Sequence, residues 1–498
     1  MYNRIKSFLF LSVFLVLLIA AGCKKGTFDI NSPNPNVPSV VSPRFVLSAA
    51  LANSGSLMLG GDEDFANLYM GYWAVSGDYI PTSTTLTYNT TTDYYAGNWD
   101  GGFLTLKDYR YIEQLSTDPN QVNYVAIAKI MEAFHFGRIV DMYNNVPYSD
   151  ALNGGIQNFP KYDDAKAIYA SLVKQLDSAV NLINTAPPTA ENPGKYDIMF
   201  QGKMSNWILF AHTVKLKILM NLTQESDGPA AITAGLSGLT TADFIPAGMD
   251  ATINPGYSNA VTPQQSPFWQ DLGFAPSGAV QGNESYYRAC SYAVNFYQNT
   301  NDPRDSAIYA PNSAHAVVGR AFGSVGASEH NTTIAGMGPG LLKAPTMPAV
   351  ILSASESLFL QAEAAQRGYL SGDPVALFQS AVTESFRYLA VPNYQAAATA
   401  YYMQTDARVN ITVGGNPIQT IILQKWAALN GIDPVESWSD WRRLSIPADL
   451  PVSIYPGTTA THVPFRLLYP TSEYSYNGTN VNAQGTINNL TSKIFWMP

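Results

Sequence analysis

NQVNYVAIAKIMEAFHFGRIVDMY, residues 120–143, decides the fold class. Val125, Ala128, Met131 and Ile139 recur at three- and four-residue steps, the period of one helix face, and Val146-Pro147 ends the run. The pattern returns in DDAKAIYASLVKQLDSAVNLI, residues 163–183, where Asp163 is a good cap and Ile168, Leu172, Leu176, Val180 and Ile183 form one stripe. It returns again in KMSNWILFAHTVKLKILMNL, residues 203–222, through Trp207, Phe210, Val214, Ile218 and Leu222. Successive starts lie about 40 residues apart, a spacing that predicts stacked helix pairs in the style of tetratricopeptide repeats.

Working towards the N-terminus, a helix is expected from Pro43 through RFVLSAALANSGSLML. Before it, residues 23–42 are rich in Pro, Asn and Ser and carry no period, which reads as a tether. Residues 1–22 combine a positive start, Arg4 and Lys6, with an apolar run from Phe8 to Ala21 and small residues ahead of Cys23. That ending looks like a bacterial lipobox, with Ala20 where leucine is more usual. Acylation of Cys23 would anchor the mature chain without a spanning helix.

Towards the C-terminus, residues from about 227 to 347 lose all sustained period and gain Gly, Pro, Ser and Asn. Helices return in ILSASESLFLQAEAAQRGYLSG, in DPVALFQSAVTESFRYLA and in NPIQTIILQKWAALNG, residues 351–431. The chain then ends in loops over 446–498.

Cys290 is the only other cysteine, so no intramolecular disulfide is available once Cys23 is lipidated. Stability has to come from a core, and roughly 475 residues at 46% apolar content suffice. Loss of Arg4 and Lys6 takes the formal charge from −9 to −11, which disfavours nucleic acid and anionic membranes as partners. Charged residues make up only 13% of the chain against 30 Tyr and 8 Trp, a balance that suits a neutral, hydroxylated ligand.

Several segments, in order, resemble the SusD/RagB-like family of nutrient-binding outer-membrane lipoproteins. They are FGRIVDMYNNVPYSDAL at 136–152, FPKYDDAKAIYASLVKQLDSA from Phe159, and NWILFAHTVKLKIL from Asn206. NDPRD at 301–305, SASESLFLQAEAAQRG from Ser353, QKWAALNGIDPVESWSDWRR ending at Arg443, and VPFRLLYPTSEYSYN from Val463 follow. The resemblance implies a mostly α fold, a right-handed bundle of tetratricopeptide-like helix pairs with an irregular, loop-rich ligand-binding region. It implies one domain over 43–498, with its helical scaffold at about 43–226 and 348–445. It also implies capture of oligosaccharide, or in some relatives peptide, for a SusC-like TonB-dependent transporter, on an outer membrane to which the protein is lipid-anchored, facing outward. Lys24 and Lys25 depart from the acidic residues that often follow the lipidated cysteine of surface-exposed lipoproteins.

No enzymatic motif is present: GxSxG, a P-loop, HExxH and Cys-x-x-Cys are all missing. Paired carboxylates suffice for glycoside hydrolysis, so a surface glycosidase or esterase is the rival class. Asp62, Glu63 and Asp64 are adjacent and read as a solvated turn or helix start. Glu132 and His135 form half of a di-iron motif without a second copy, which favours a packed histidine. The Asn299 to Asp305 run could hold calcium but lacks the EF-hand spacing and reads as a turn. No cofactor is implied.

Binding of sugars asks for aromatic faces among polar groups, carried on loops. GYWAVSGDYIPTSTTLTYNTTTDYYAGNWDGGF, residues 71–103, has that composition. Phe65, Leu68, Tyr69, Tyr72 and Trp73 keep helical spacing, as do Trp99, Phe103, Leu106 and Tyr109, which favours core over platform for Trp73 and Trp99 while the spacing alone leaves a place in the site open. Between them lie the site candidates: Tyr79, Tyr88, Tyr94 and Tyr95 as platform, with Asp78, Asn89, Asp93 and Asn98 as hydroxyl partners. Phe268 and Trp269 are candidates from the middle region. Tyr286–Tyr297 can be read as a helix, which would place Tyr286, Cys290 and Tyr297 on one buried face.

Overall fold

A computed structural model describes residues 41–498, except 60, 62, 81, 154–157 and 327–328. The signal segment, Cys23 and the tether before residue 41 lie outside the described residues, as does Asp62. Residues 43–498 form one compact unit.

Its frame is a series of helices: α1 (Pro43–Leu59), α2 (Gly97–Leu115), α3 (Val122–Tyr143), α4 (Ala165–Asn184) and α5 (Met204–Asn221), then α6 (Ala354–Gln366), α7 (Pro374–Tyr388), α8 (Tyr394–Tyr402), α9 (Pro417–Leu429) and α10 (Pro434–Leu444). Each of the first five packs on the next, and α6, α7 and α8 repeat the arrangement. Contacts of α5 with α6 and α10 close the two series into one body. α3 is buried on nearly every side, the signature of a central helix, whereas α4 keeps one buried stripe through Ile168, Leu172 and Leu176.

Local signals fix the helix starts. Asp164, one residue after the expected cap, accepts from the Ala167 amide at 3.0 Å, while Asp163 instead accepts the Tyr148 and Ser149 amides across a two-residue ribbon. Ser353, Asp373, Asn416 and Asp433 cap α6, α7, α9 and α10, and Pro374, Pro417 and Pro434 occupy first-turn positions where their missing N–H costs nothing.

The loop-rich region is pinned by short antiparallel ribbons. Trp73–Val75 pairs with Tyr287–Ala289, and Ala251–Ile253 pairs with Ala349–Leu352. Trp73 is buried as expected but sits in a strand, because the helix before it ends at Tyr69. The helix read over Tyr286–Tyr297 also changes: Tyr287–Ala289 is strand and the helix is Ser291–Asn299. Cys290 and Tyr297 are core, while Tyr286 is half-exposed. At the turn of the 299–305 run Asp302 is clamped by Arg304 at 2.6 Å, and Asp305 accepts from Gln298 at 3.3 Å.

Inside the frame lies a buried ionic network. Asp433 accepts from Arg138 of α3 at 3.2 Å and Lys217 of α5 at 2.9 Å. Arg138 also pairs with Glu63, and Lys217 reaches Glu356 at 2.7 Å and Glu436 at 3.1 Å. Lys425 of α9 binds Glu436 and Asp440, and Arg443 forks onto Glu363 at 2.6 and 2.7 Å while touching Asp440. Six carboxylates thus face four buried cations, with Arg367 reaching Glu363 from the rim. Burial, reinforced by neighbouring carboxylates, holds Glu63 and Glu356 at about 7 against the pull of Arg138 and Lys217. Burial acts upward on Glu363 as well, but Arg443 holds it down at about 2.

Two outcomes follow from this geometry. Asp433→Ala strips Arg138 and Lys217 of a shared partner and should destabilise the fold by about 3–5 kcal/mol in denaturant unfolding. Glu63 is protonated more readily folded than unfolded, so its contribution is full below about 4.5 and fades as pH rises through about 7. The stability of wild type relative to Glu63→Gln should therefore fall by on the order of 2 kcal/mol between pH 5 and pH 8, and parallel profiles would exclude it.

Candidate functional site

The Trp73–Val75 ribbon delivers the 76–80 loop to the surface. Ser76 continues the ribbon by donating its amide to Tyr286 O at 2.8 Å, and Gly77 donates to Glu329 O at 3.0 Å. A Cβ at Gly77 would lie 2.3 Å from Arg320 Nη1 and 2.5 Å from Glu329 O, so the close approach of the two loops requires glycine.

Beyond Gly77 the chain turns outward. The Asp78 carboxylate accepts from the Asn331 amide at 2.8 Å and faces His330 Nδ1 at 2.5 Å. The Asn331 amide first, then His330, hold its pKa below the usual carboxylate value. Tyr79 meets Tyr286 edge-to-face at 5.3 Å, with its hydroxyl 2.5 Å from Ser285 Oγ, and remains 39% exposed. Ile80 is fully exposed. Behind this tip the buried Arg288 guanidinium donates to the Glu284 and Tyr287 carbonyls, its pKa lowered by burial.

Two segments distant in sequence are thereby joined: Asp78 and Tyr79 from the early loop, and Ser285 and Tyr286 from the middle region. Ser285 had no sequence signal, and Tyr286, expected on a buried helix face, is instead half-exposed beside Tyr79 because the chain after it runs as strand. His330 and Asn331 had no sequence signal at all.

The other candidates divide differently. Tyr88 is fully buried and cannot serve as platform; its ring packs on Tyr69 at 5.6 Å and Phe322 at 6.0 Å, and its hydroxyl accepts from the Ser453 amide at 3.0 Å. Its φ of 58° turns the chain inward at that point. Asn98 is buried at the start of α2, its Nδ2 donating to Tyr95 O. Phe268 belongs to the core as well. Burial leaves these three no face for a ligand.

Tyr94 and Tyr95 are half-buried, stacked edge-to-face at 4.7 Å, and Tyr95 lies on Phe65 with its hydroxyl 3.2 Å from that of Tyr287. Asn89 and Asp93 are exposed. Trp269 is half-buried and donates Nε1–H to Phe274 O at 2.8 Å; among the described residues no ring contact joins it to Tyr79 or Tyr286. Trp99 is buried among Phe103, Tyr143 and Tyr469, as the spacing indicates.

Catalytic alternatives find little geometry. Glu132 bonds Arg110 and Gln175 while His135 Nε2 meets Ser54 Oγ at 2.8 Å, so the two side chains serve separate contacts. Burial depresses His135 to about 3, leaving it neutral. Among the described residues no group of three or more His, Cys, Asp or Glu could hold a metal, and no helix is long and apolar enough to cross a membrane.

The chain is similar along most of its length to known proteins. The family described as "Starch-binding associating with outer membrane" matches residues 35–470. A chitin-binding protein superposes with a TM-score of 0.73 at 24% identity, covering 92% of this chain and 100% of its own. A SusD homologue from Bacteroides fragilis gives 0.72 at 19%, covering 92% and 99%. A chitin-binding SusD homologue from Flavobacterium johnsoniae gives 0.72 at 19%, covering 90% and 98%. No curated protein matches the sequence. These structural likenesses concern the fold, and the match over residues 35–470 carries the assignment: the chain belongs to the SusD/RagB-like family of proteins associated with the outer membrane.

Proposed function

We propose that this protein is a non-catalytic glycan receptor that captures oligosaccharides and delivers them to a SusC-like TonB-dependent transporter. In this reading Cys23 carries the lipid anchor, and the loop-rich face is turned outward from the outer membrane.

The observation that carries the reading is the Tyr79–Tyr286 pair, held at 5.3 Å on loops fixed to a buried ribbon. Tyr79 presents an aromatic edge and face to solvent beside a carboxylate, a hydroxyl and an imidazole, from Asp78, Ser285 and His330. Apolar ring faces of a sugar suit such an aromatic surface, and its hydroxyls suit the polar rim. Tyr94 and Tyr95 act in support, bracing the tip through Tyr287.

Chito-oligosaccharides are the first ligands to test, since two structural relatives bear chitin-binding names, with malto-oligosaccharides second. Titration calorimetry on the soluble domain should give saturable binding. Tyr79→Ala combined with Tyr286→Ala should weaken it by about 10–100-fold, the loss of two aromatic contacts, with little change in melting temperature. Unchanged affinity in that double variant would refute this site, and release of shorter sugars on incubation would refute the binding-only reading.

Tyr88→Ala serves as the contrasting control. It empties a core position and should cost about 3–5 kcal/mol of stability in chemical unfolding.

A further inference from the structure

The first turn of α1 sets an exposed cation beside an exposed ring. Arg44 and Phe45 both face water, Phe45 at 55% exposure, and Phe45 meets the Tyr196 ring edge-to-face at 5.4 Å. The short turn Gly194–Tyr196 is fixed to α1 by the Ser48 hydroxyl, which donates to Tyr196 O at 2.8 Å. The Arg44 guanidinium lies 5.4 Å from the Phe45 ring and 5.6 Å from that of Tyr196, and the Lys195 ammonium 5.5 Å from Tyr196. A Cβ on Gly202 would lie 2.7 Å from Gly194 N, so Lys203 follows at the same corner. Arg44, Lys195 and Lys203 are all exposed, and among the described residues no ion pair engages them. Two acidic groups stand near: Glu191, which accepts from the Tyr124 hydroxyl at 2.8 Å, and Asp118, which accepts from the Asn120 amide at 2.8 Å.

The chain that precedes the folded body is attached at this corner. Residues 24–42 alone separate Pro43 from Cys23, and even fully extended they reach no more than about 70 Å. Lys24 and Lys25 directly follow the cysteine. Aromatic rings and long basic side chains are the groups that suit a headgroup layer, the rings lying among the headgroups and the cations meeting their phosphates. Each basic side chain near an anionic surface favours the docked state about fivefold. The negative formal charge of the whole chain disfavours general adsorption, but charges more than about 8 Å away are largely screened, so the local balance decides. A covalent anchor also makes the encounter intramolecular, so a modest contact is enough to be populated.

We propose that Arg44, Phe45, Lys195, Tyr196 and Lys203 form a membrane-contact surface that docks on anionic lipid headgroups; this rests on the reading of Cys23 as the anchor. Phe45 and Tyr196 enter the headgroup layer while the three cations meet phosphates, and the body is thereby held in one orientation on its tether.

Electron paramagnetic resonance on the mature lipidated protein, reconstituted in vesicles of phosphatidylethanolamine and phosphatidylglycerol, tests it. A nitroxide is attached through Ala49→Cys, an exposed position one turn from Phe45 on the same face, or through Ile80→Cys on the ligand tip; Cys290 is buried and stays unlabelled. Flotation with the vesicles reports the anchor, and collision of the nitroxide with a water-soluble nickel chelate reports docking. The label at 49 should be about fivefold or more less accessible than the label at 80. Arg44→Ala combined with Lys195→Ala should lower the docked-to-free ratio about tenfold or more, and vesicles of phosphatidylcholine alone should act likewise. Protein that floats with position 49 as accessible as position 80 would overturn the proposal and leave the anchor standing, whereas protein that fails to float would overturn both. Shielding unchanged in the double variant or on phosphatidylcholine would overturn the proposal too, because the cations would then have no part in it.

Discussion

Asp433 is the point at which the two helical series become one structure. It caps α10 through the Glu436 amide and at the same time neutralises Arg138 and Lys217, which approach from α3 and α5. Charges can be buried only when each is met by partners, so every helix that contributes one is held in register by the others. Burial first, and neighbouring carboxylates second, raise Glu63 and Glu356 to about 7, whereas Arg443, bidentate on Glu363, holds that carboxyl down. The ribbons that carry the loop tip are attached to this frame, Trp426 and Tyr72 stacking at 5.1 Å between them.

That frame was legible in the sequence for a physical reason. The segments that carry the family resemblance are the ones that supply the network: FGRIVDMY gives Arg138, HTVKLKIL gives Lys217, SASESLFLQAEAAQ gives Glu356 and Glu363, and QKWAALNGIDPVESWSDWRR gives Lys425 through Arg443. Helical period, caps and first-turn prolines then place each frame helix within its segment, although the one read over residues 351–372 is shorter, Ala354–Gln366. Trp73 and Trp99 lie in the interior, the place their spacing among other apolar residues favours, even though one is in a strand.

The candidate site was only half legible, because its members are separated by tertiary partners and not by local pattern. Tyr79 and Tyr88 lie in the same period-free loop with the same polar neighbours. One is exposed because the chain turns outward after Gly77; the other is buried because its left-handed backbone aims it at Tyr69 and Phe322. Neither Phe322 nor His330 can be linked to that loop by any periodicity, since more than 230 residues intervene. Composition singles out the loop; only the pairing of distant segments sorts its tyrosines into exposed and buried.

The fastening of Tyr88 also bears on when the protein acquires its loop during synthesis. Its hydroxyl is held by the amide of Ser453 and its carbonyl by the side chain of Asn489, partners 365 and 401 residues downstream. Contacts of such long range carry a loop-closure cost that local helical contacts do not. A chain interrupted before residue 489 could assemble most of its helices and still leave the base of the recognition loop unfastened. The C-terminal loops thus fasten the 76–98 segment from within: its inner side is complete only once Ser453 and Asn489 are in place.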